Sequence, residues 1–208
     1  MLIALVDMLR CPRTHDETWL VASIDRAERG DIVDGTLGCP ICMTEYPIRD
    51  GIVWFDDDAP RPPSAAPNEA EATRLAAALD LTDPKMVAVL HGDWGAHAPL
   101  LPGLTPAPIL LVNPPADIVT GDGVSIVVAN RAPLARASVD AVAMAAASNE
   151  MAGSLVASLR AGRRMLAPAS MSVPPNFTEL ARDNDVWVAQ LDAQFVTSAP
   201  IMPLRRAR

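Results

Sequence analysis

Three cysteines and one histidine are the side chains of this sequence best suited by type and spacing to do chemistry. Cys39-Pro40-Ile41-Cys42 is a Cys-x-x-Cys knuckle, which puts two thiolates on one tight turn. That is half of what tetrahedral zinc requires. Cys11 supplies a third thiol upstream, and His15 follows it in Cys11-Pro12-Arg13-Thr14-His15. Cys11, His15, Cys39 and Cys42 would together make a closed Cys-Cys-Cys-His set. The other reading is that the metal has been lost and apolar residues alone hold this part of the chain. Neither reading leaves an open coordination position, so this region is not expected to be a catalytic centre.

A second group of candidates lies in His91-Gly92-Asp93-Trp94-Gly95-Ala96-His97. Glycine tolerates positive φ and has no Cβ, so Gly92 and Gly95 would let the backbone approach a ligand. His91 and His97 do not have a helical ligand spacing, and only Asp93 accompanies them. They read as loop or packing histidines. No Gly-x-Ser-x-Gly, phosphate loop or catalytic-cysteine pattern occurs.

The elements that must position these residues follow from the apolar runs. Asp50-Gly51 is a hairpin signal between strand-like runs. Residues 59–67 hold Pro60, Pro62, Pro63 and Pro67, a semi-rigid linker that cannot donate to a sheet. It is expected to separate a module at 1–58 from a domain at 68–200, with a basic tail at 201–208. Asn68 should cap a helix to about Leu81, with Glu69 and Glu71 in its first turn. Strands are expected at 86–90, 109–112, 124–128, 139–144, 163–167, 186–190 and 194–197. Helices are expected at 149–159 and, briefly, at 177–181. Near-continuous apolar strands imply a mostly parallel sheet buried on two faces. The last two strands should form an antiparallel hairpin.

Composition bounds the class. The chain has 208 residues, is 50% hydrophobic and only 4% aromatic, and suits an α/β core of small side chains. Its net charge of −8 disfavours a general nucleic-acid surface. The few cysteines suit metal or reduced thiols, hence a cytoplasmic setting. The opening Met1-Leu-Ile-Ala-Leu-Val6 lacks a basic leader and a cleavage site, and no apolar run is long enough for a membrane span.

With Leu5-Val-Asp-Met-Leu-Arg-Cys-Pro12 upstream and Tyr46-Pro47-Ile48-Arg49-Asp50-Gly51-Ile52 after the knuckle, the first 58 residues resemble a family of short zinc-ribbon proteins. These are small bacterial proteins related to the activating subunit of tRNA and release-factor methyltransferases. The resemblance implies a zinc ribbon that works by holding a methyltransferase. The family's first knuckle is Cys-Pro-x-Cys, and Thr14, a poor ligand, stands at its second cysteine. The remainder resembles a class I S-adenosylmethionine-dependent methyltransferase, a parallel sheet ending in an antiparallel hairpin. Ser138-Val139-Asp140-Ala141-Val142 matches that family's fourth strand, and the stretch from Leu155 through Gly162 to Pro168 its next turn.

That second resemblance is degenerate where the family binds its cofactor. The family pattern is acid-x-Gly-x-Gly-x-Gly, whereas Gly92 and Gly95 have the wrong spacing and Trp94 is bulky. Asn113 stands where an Asp or Glu would hold the ribose diol, and Asn130 where an Asp often meets the adenine amine. Asn113-Pro114-Pro115 ends in Ala116, follows the second strand rather than the fourth, and reads as a Pro-enforced loop. The expectation is a non-catalytic structural or regulatory subunit with a protein partner, with zinc in the ribbon and no S-adenosylmethionine. The alternative is an active methyltransferase with an atypical pocket lined by Gly92, Gly95, Asn113 and Asn130.

Overall fold

The chain opens with a short 3-10 segment, Ile3–Met8, and four strands in a computed structural model that describes residues 1–193. The strands are β1 (Val21–Glu28), β2 (Asp31–Gly38), β3 (Glu45–Arg49) and β4 (Ile52–Trp54). They form an antiparallel meander closed by tight turns. Arg29-Gly30 and Asp50-Gly51 all have positive φ, as two-residue hairpin loops demand. The Asp50-Gly51 turn is where the sequence places one.

Then come α1 (Glu69–Leu79), β5 (Ala88–His91), a 3-10 stretch Gly92–Gly103, β6 (Ile109–Val112), β7 (Val124–Val128) and β8 (Val139–Ala143). The series ends with α2 (Asn149–Ser158), β9 (Leu159–Pro168), β10 (Phe177–Arg182) and β11 (Val186–Leu191). The Asn68 side chain accepts from the Glu71 amide, so the expected cap forms. Pro99 and Pro102 lie inside the stretch after β5, which keeps it from becoming an α-helix.

All the strands join one sheet, ordered β1-β2-β3-β4-β7-β6-β5-β8-β9-β11-β10. Neighbours from β4 to β9 are parallel, whereas β9-β11 and β11-β10 are antiparallel. The fold is therefore α/β: a small β-rich ribbon, then a Rossmann-like, mostly parallel sheet ending in an antiparallel hairpin. The hairpin is β10–β11, and residues 177–181 are strand rather than the helix expected there. Phe177 pairs with Leu191 and Arg182 with Trp187, and this cross-strand pairing overrides the local helical preference of Thr-Glu-Leu-Ala. The strand expected at 194–197 and the basic tail at 201–208 lie outside the described residues.

The ribbon docks on its own α/β sheet. β4 runs parallel to β7, with Ile52 opposite Ile126 and Trp54 opposite Val128. One apolar cluster contains Leu5, Leu9, Leu37, Tyr46 and Phe55 of the ribbon together with Val89, Leu110 and Val127 of the sheet. The opposite sheet face presents Ala88, Leu90, Leu111 and Ile126 to a second cluster under Leu75 and Leu79 of α1. Successive strand residues thus bury on alternate faces, as a two-faced sheet requires. No α-helix links β6 to β7, and the N-terminal segment lies along that side instead. The Leu2 amide donates to Ser125 Oγ, and Leu9 bridges Leu134.

At the N-terminal ends of the strands, Asp140 of β8 is 2% exposed. Its Oδ2 accepts from the Val87 amide at 3.0 Å and from Arg160 Nη1 at 2.8 Å, and its Oδ1 lies 3.2 Å from Arg163 Nε. This places the fourth-strand aspartate away from the strand ends where ligands bind, in a structural role.

Candidate functional site

The ribbon brings its expected donors together. The hairpin from β2 to β3 folds the knuckle so that the Met43 amide donates to the Cys39 carbonyl and the Cys39 amide to the Thr44 carbonyl. Met43 has a φ of 57°, which tightens the turn. The loop after Leu9 then carries Cys11 and His15 to the same point. One ligand atom from each of Cys11, His15, Cys39 and Cys42 lies within 4.8 Å of the others. Cys11 Sγ is 3.7 Å from Cys42 Sγ, and His15 Nε2 is 3.1 Å from Cys11 Sγ and 3.4 Å from Cys39 Sγ. Zinc–sulfur bonds of ~2.3 Å give a tetrahedron with edges of about 3.8 Å, and zinc–nitrogen edges are slightly shorter. The donor set therefore fits zinc in both type and size.

Neighbouring groups orient the donors. His15 Nδ1 lies 2.7 Å from the Asp16 carbonyl, which places the proton on Nδ1 and turns Nε2 toward the thiols. Tyr46 Oη approaches Cys11 Sγ at 3.1 Å. Burial is the main reason the Cys11 thiol is pushed up, and the Tyr46 contact opposes it. Cys42 is held down to about 6, chiefly by its contact with Thr44 Oγ1 at 3.2 Å. Thr14 adds no donor to this group, and His15 completes it.

The second candidate region lies at the C-terminal ends of the parallel strands. There the sheet order reverses between β5 and β8, which in open α/β sheets is where ligands bind. A cavity of about 510 Å³ opens at this switch point. His91, Gly92, Asp93, Asn113, Ala129 and Asn130 contribute to its walls, with Ala145 to Ser148 and Glu150 beyond β8. Of the four candidate cofactor residues, Gly92, Asn113 and Asn130 line it and Gly95 does not. A Cβ on Gly95 would lie 2.6 Å from Pro114 Cβ, so this glycine permits loop packing. Trp94 also stays out of the cavity and packs against the cluster under α1, so it does not obstruct the crevice.

The Asn113 side chain in the cavity faces the protein itself. Asn113 is 3% exposed and adopts a φ of 51°. Its Nδ2 donates to the Ala129 carbonyl at 2.8 Å and its Oδ1 accepts from the Ala129 amide at 2.9 Å. The amide thus ties the end of β6 to the end of β7. An aspartate would lose the donor and set a carboxylate against the Ala129 carbonyl. Asn130 donates its backbone amide to Asp56 Oδ2 at 2.9 Å, linking β7 to the ribbon's acidic end. His91 is 7% exposed, and its Nδ1 is buried with no hydrogen-bond partner. Burial holds its imidazole down to about 4, so it is neutral near pH 7. His97 lies elsewhere, accepting from the Asn68 amide at the start of α1.

The proline-rich segment contributes a residue that the sequence reading did not single out. Arg61 Nε donates to the Pro114 carbonyl at 2.7 Å and Nη2 to the Pro115 carbonyl at 2.8 Å. Pro60, Arg61 and Pro62 therefore form one wall of the cavity, pinned to the loop after β6. A lone Arg inside a proline run was the only sequence signal for this.

Residues 3–51 match the model of the Trm112p-like protein family. No curated protein matches the chain. One solved structure to which it is similar is a geranyl diphosphate methyltransferase in complex with SAM, at 16% identity and a TM-score of 0.38. That match covers 47% of each chain, so this chain spans about half the length of that enzyme. Another is a methyltransferase from Geobacter sulfurreducens, at 11% identity and a TM-score of 0.42, covering 62% of this chain and 81% of that one.

Proposed function

We propose that this chain is a non-catalytic structural or regulatory subunit. It joins a zinc-holding ribbon to a methyltransferase-like domain that has given up its cofactor, and it acts through protein–protein contacts. The observation that carries this reading is the Asn113 amide, whose two polar ends are both spent on Ala129. The family's acidic residue at this place supplies a charged acceptor for both ribose hydroxyls, and here that function is replaced by a link between strands. In the walls beyond β8, Ala145, Ala146 and Ala147 bring no polar side chain, Ser148 Oγ accepts from the Met151 amide, and Glu150 lies 4.0 Å from Arg131.

In this reading the ribbon's zinc is structural and is held by Cys11, His15, Cys39 and Cys42. Residues 59–67 are the linker between the two modules, and the working compartment is the cytoplasm. Among the described residues no helix is long and apolar enough to cross a membrane. The partner is a protein rather than a nucleic acid, in keeping with the charge of −8.

The alternative, an active methyltransferase with an atypical pocket, draws on the cavity at the switch point and the buried, unpartnered His91 nitrogen. Calorimetric titration of the zinc-loaded chain with S-adenosylmethionine separates the two readings. The subunit reading expects no binding in the low micromolar range. Tight binding promotes the alternative.

A further inference from the structure

Among the described residues the sheet ends on β1 at one side and on β10 at the other. Among the described residues β1 pairs only with β2, and every residue of β1 except Ala22 is exposed. The ribbon's other edge is already paired, because β4 lies against β7. An unpaired edge presents a row of backbone donors and acceptors, and proteins normally blunt such edges with charges, prolines or bulges.

The second half of β1 is blunted in this way and the first half is not. Register breaks fall between Ile24 and Ala27, where Arg26 pairs with Asp34 at 2.8 Å and with Glu28 at 3.2 Å. Val21-Ala22-Ser23-Ile24 has no charge and no proline. Its large side chains are left in solvent, with Val21 at 63% and Ile24 at 45% exposure. Trp19, just before the strand, is 67% exposed with the Arg10 guanidinium over its ring. Val21 sits opposite Gly38, so this stretch begins beside the knuckle, where Ile41 and Met43 are also exposed.

Charge selects the occupant. The first 58 residues hold twelve of the 25 acidic residues but only five of the 17 basic ones. Nearly all of the net charge of −8 therefore resides on the ribbon. A second copy docked edge to edge would bring two such fields together, whereas a basic segment is attracted. We propose that Val21–Ile24, flanked by Trp19 and the knuckle, is a docking strand for an extended segment of a partner protein in which basic and apolar residues alternate. Main-chain pairing would supply affinity, and the apolar side chains and negative field would supply selectivity.

This inference deepens the subunit reading by naming a surface and a partner chemistry. It is independent of the crevice, so cofactor titration and the following test fail separately. The probe is a short fluorescent peptide of alternating Arg and Val, titrated into the zinc-loaded full chain with anisotropy as the readout. Saturable binding is expected, weakening as salt rises. It should fall by roughly tenfold or more in Val21→Lys/Ile24→Lys, whose exposed sites leave the fold intact by circular dichroism.

An Arg–Val peptide N-methylated at every amide should not bind, because the ladder donors of both its edges are gone. Absence of binding by the unmodified peptide overturns the proposal. Equal binding of the N-methylated peptide reduces the surface to a plain polyanion, and equal binding of a Glu–Val peptide removes the charge argument. Dimerisation of the parent chain that Val21→Lys abolishes makes a second copy the occupant instead. Tighter peptide binding by Arg205→Glu/Arg206→Glu/Arg208→Glu assigns the edge to the chain's own basic end. Either of these last results also contradicts the proposal.

Discussion

The knuckle end of the ribbon and the strand-end crevice are both places where polar side chains converge, but they converge differently. At the knuckle, four donor groups from separate loops turn toward one another, and the Asp16 carbonyl and Tyr46 hold two of them in position. In the crevice, Asn113 and Arg61 turn toward the backbone of neighbouring loops. The first arrangement leaves a space of zinc's dimensions at the centre of its donors. In the second, Asn113 and Arg61 are already satisfied by backbone groups, while the buried His91 Nδ1 is left without a partner. Convergence marks a binding site only when the donors are still free to bind, and by that criterion the two regions have opposite fates.

The largest effect expected from this contrast is on the metal side. Cys39→Ser, or prolonged chelation, should lower thermal stability by several kcal/mol, a Tm change of about 10 °C or more. The ribbon shares an apolar cluster with the sheet, so the whole chain should respond in one melting transition. A parent protein that elemental analysis finds free of zinc, yet with an unchanged melting curve, would erase the contrast.

Asn113 tests the crevice from the opposite direction. Asn113→Asp removes the Nδ2 donor and sets a carboxylate against the buried Ala129 carbonyl, at a cost of about 2–4 kcal/mol by urea denaturation. If Asn113 were a weakened cofactor ligand instead, the same substitution would restore the acid and improve cofactor binding without that loss.

His91 sharpens the comparison through pH. Its folded value of about 4 lies below the ordinary 6.5, so the unfolded chain takes up this proton first. Stability should fall as pH drops from about 6.5 to 4 and level off below, by up to about 3 kcal/mol from this group. His91→Asn should flatten that part of the difference between parent and variant in urea midpoints. An equally steep dependence in the variant would show that the imidazole is not the buried group responsible.

The smallest effect belongs to Arg61. Arg61→Ala removes two hydrogen bonds to proline carbonyls and should cost about 1 kcal/mol, seen as faster proteolysis within residues 59–67. Unchanged cleavage would mean that the segment is held by its prolines alone.

Much of this was legible in the sequence because the signals are local. Cysteine spacing gave the ribbon, apolar runs gave β5 to β9, and Asn68 before Glu69 gave the start of α1. What escaped depends on contacts distant in sequence. Residues 177–182 have helix-compatible composition and become β10 only by pairing with β11. β4 finds β7 across more than seventy residues, which no local pattern encodes. Asn113 reads as a damaged acid until its partner at Ala129 is known, and Gly95 reads as a cofactor glycine until Pro114 is seen against it. Trp94 has the bulk to fill a crevice, but its backbone turns it to the other side of the sheet.

The central proposal is that the crevice at the strand ends holds no S-adenosylmethionine whereas the donors of the ribbon hold zinc. Isothermal titration of the zinc-loaded full chain with S-adenosylmethionine tests it most directly. The account predicts no binding in the low micromolar range. A saturating one-to-one isotherm in that range would contradict it, and so would methyl transfer to a protein or small molecule.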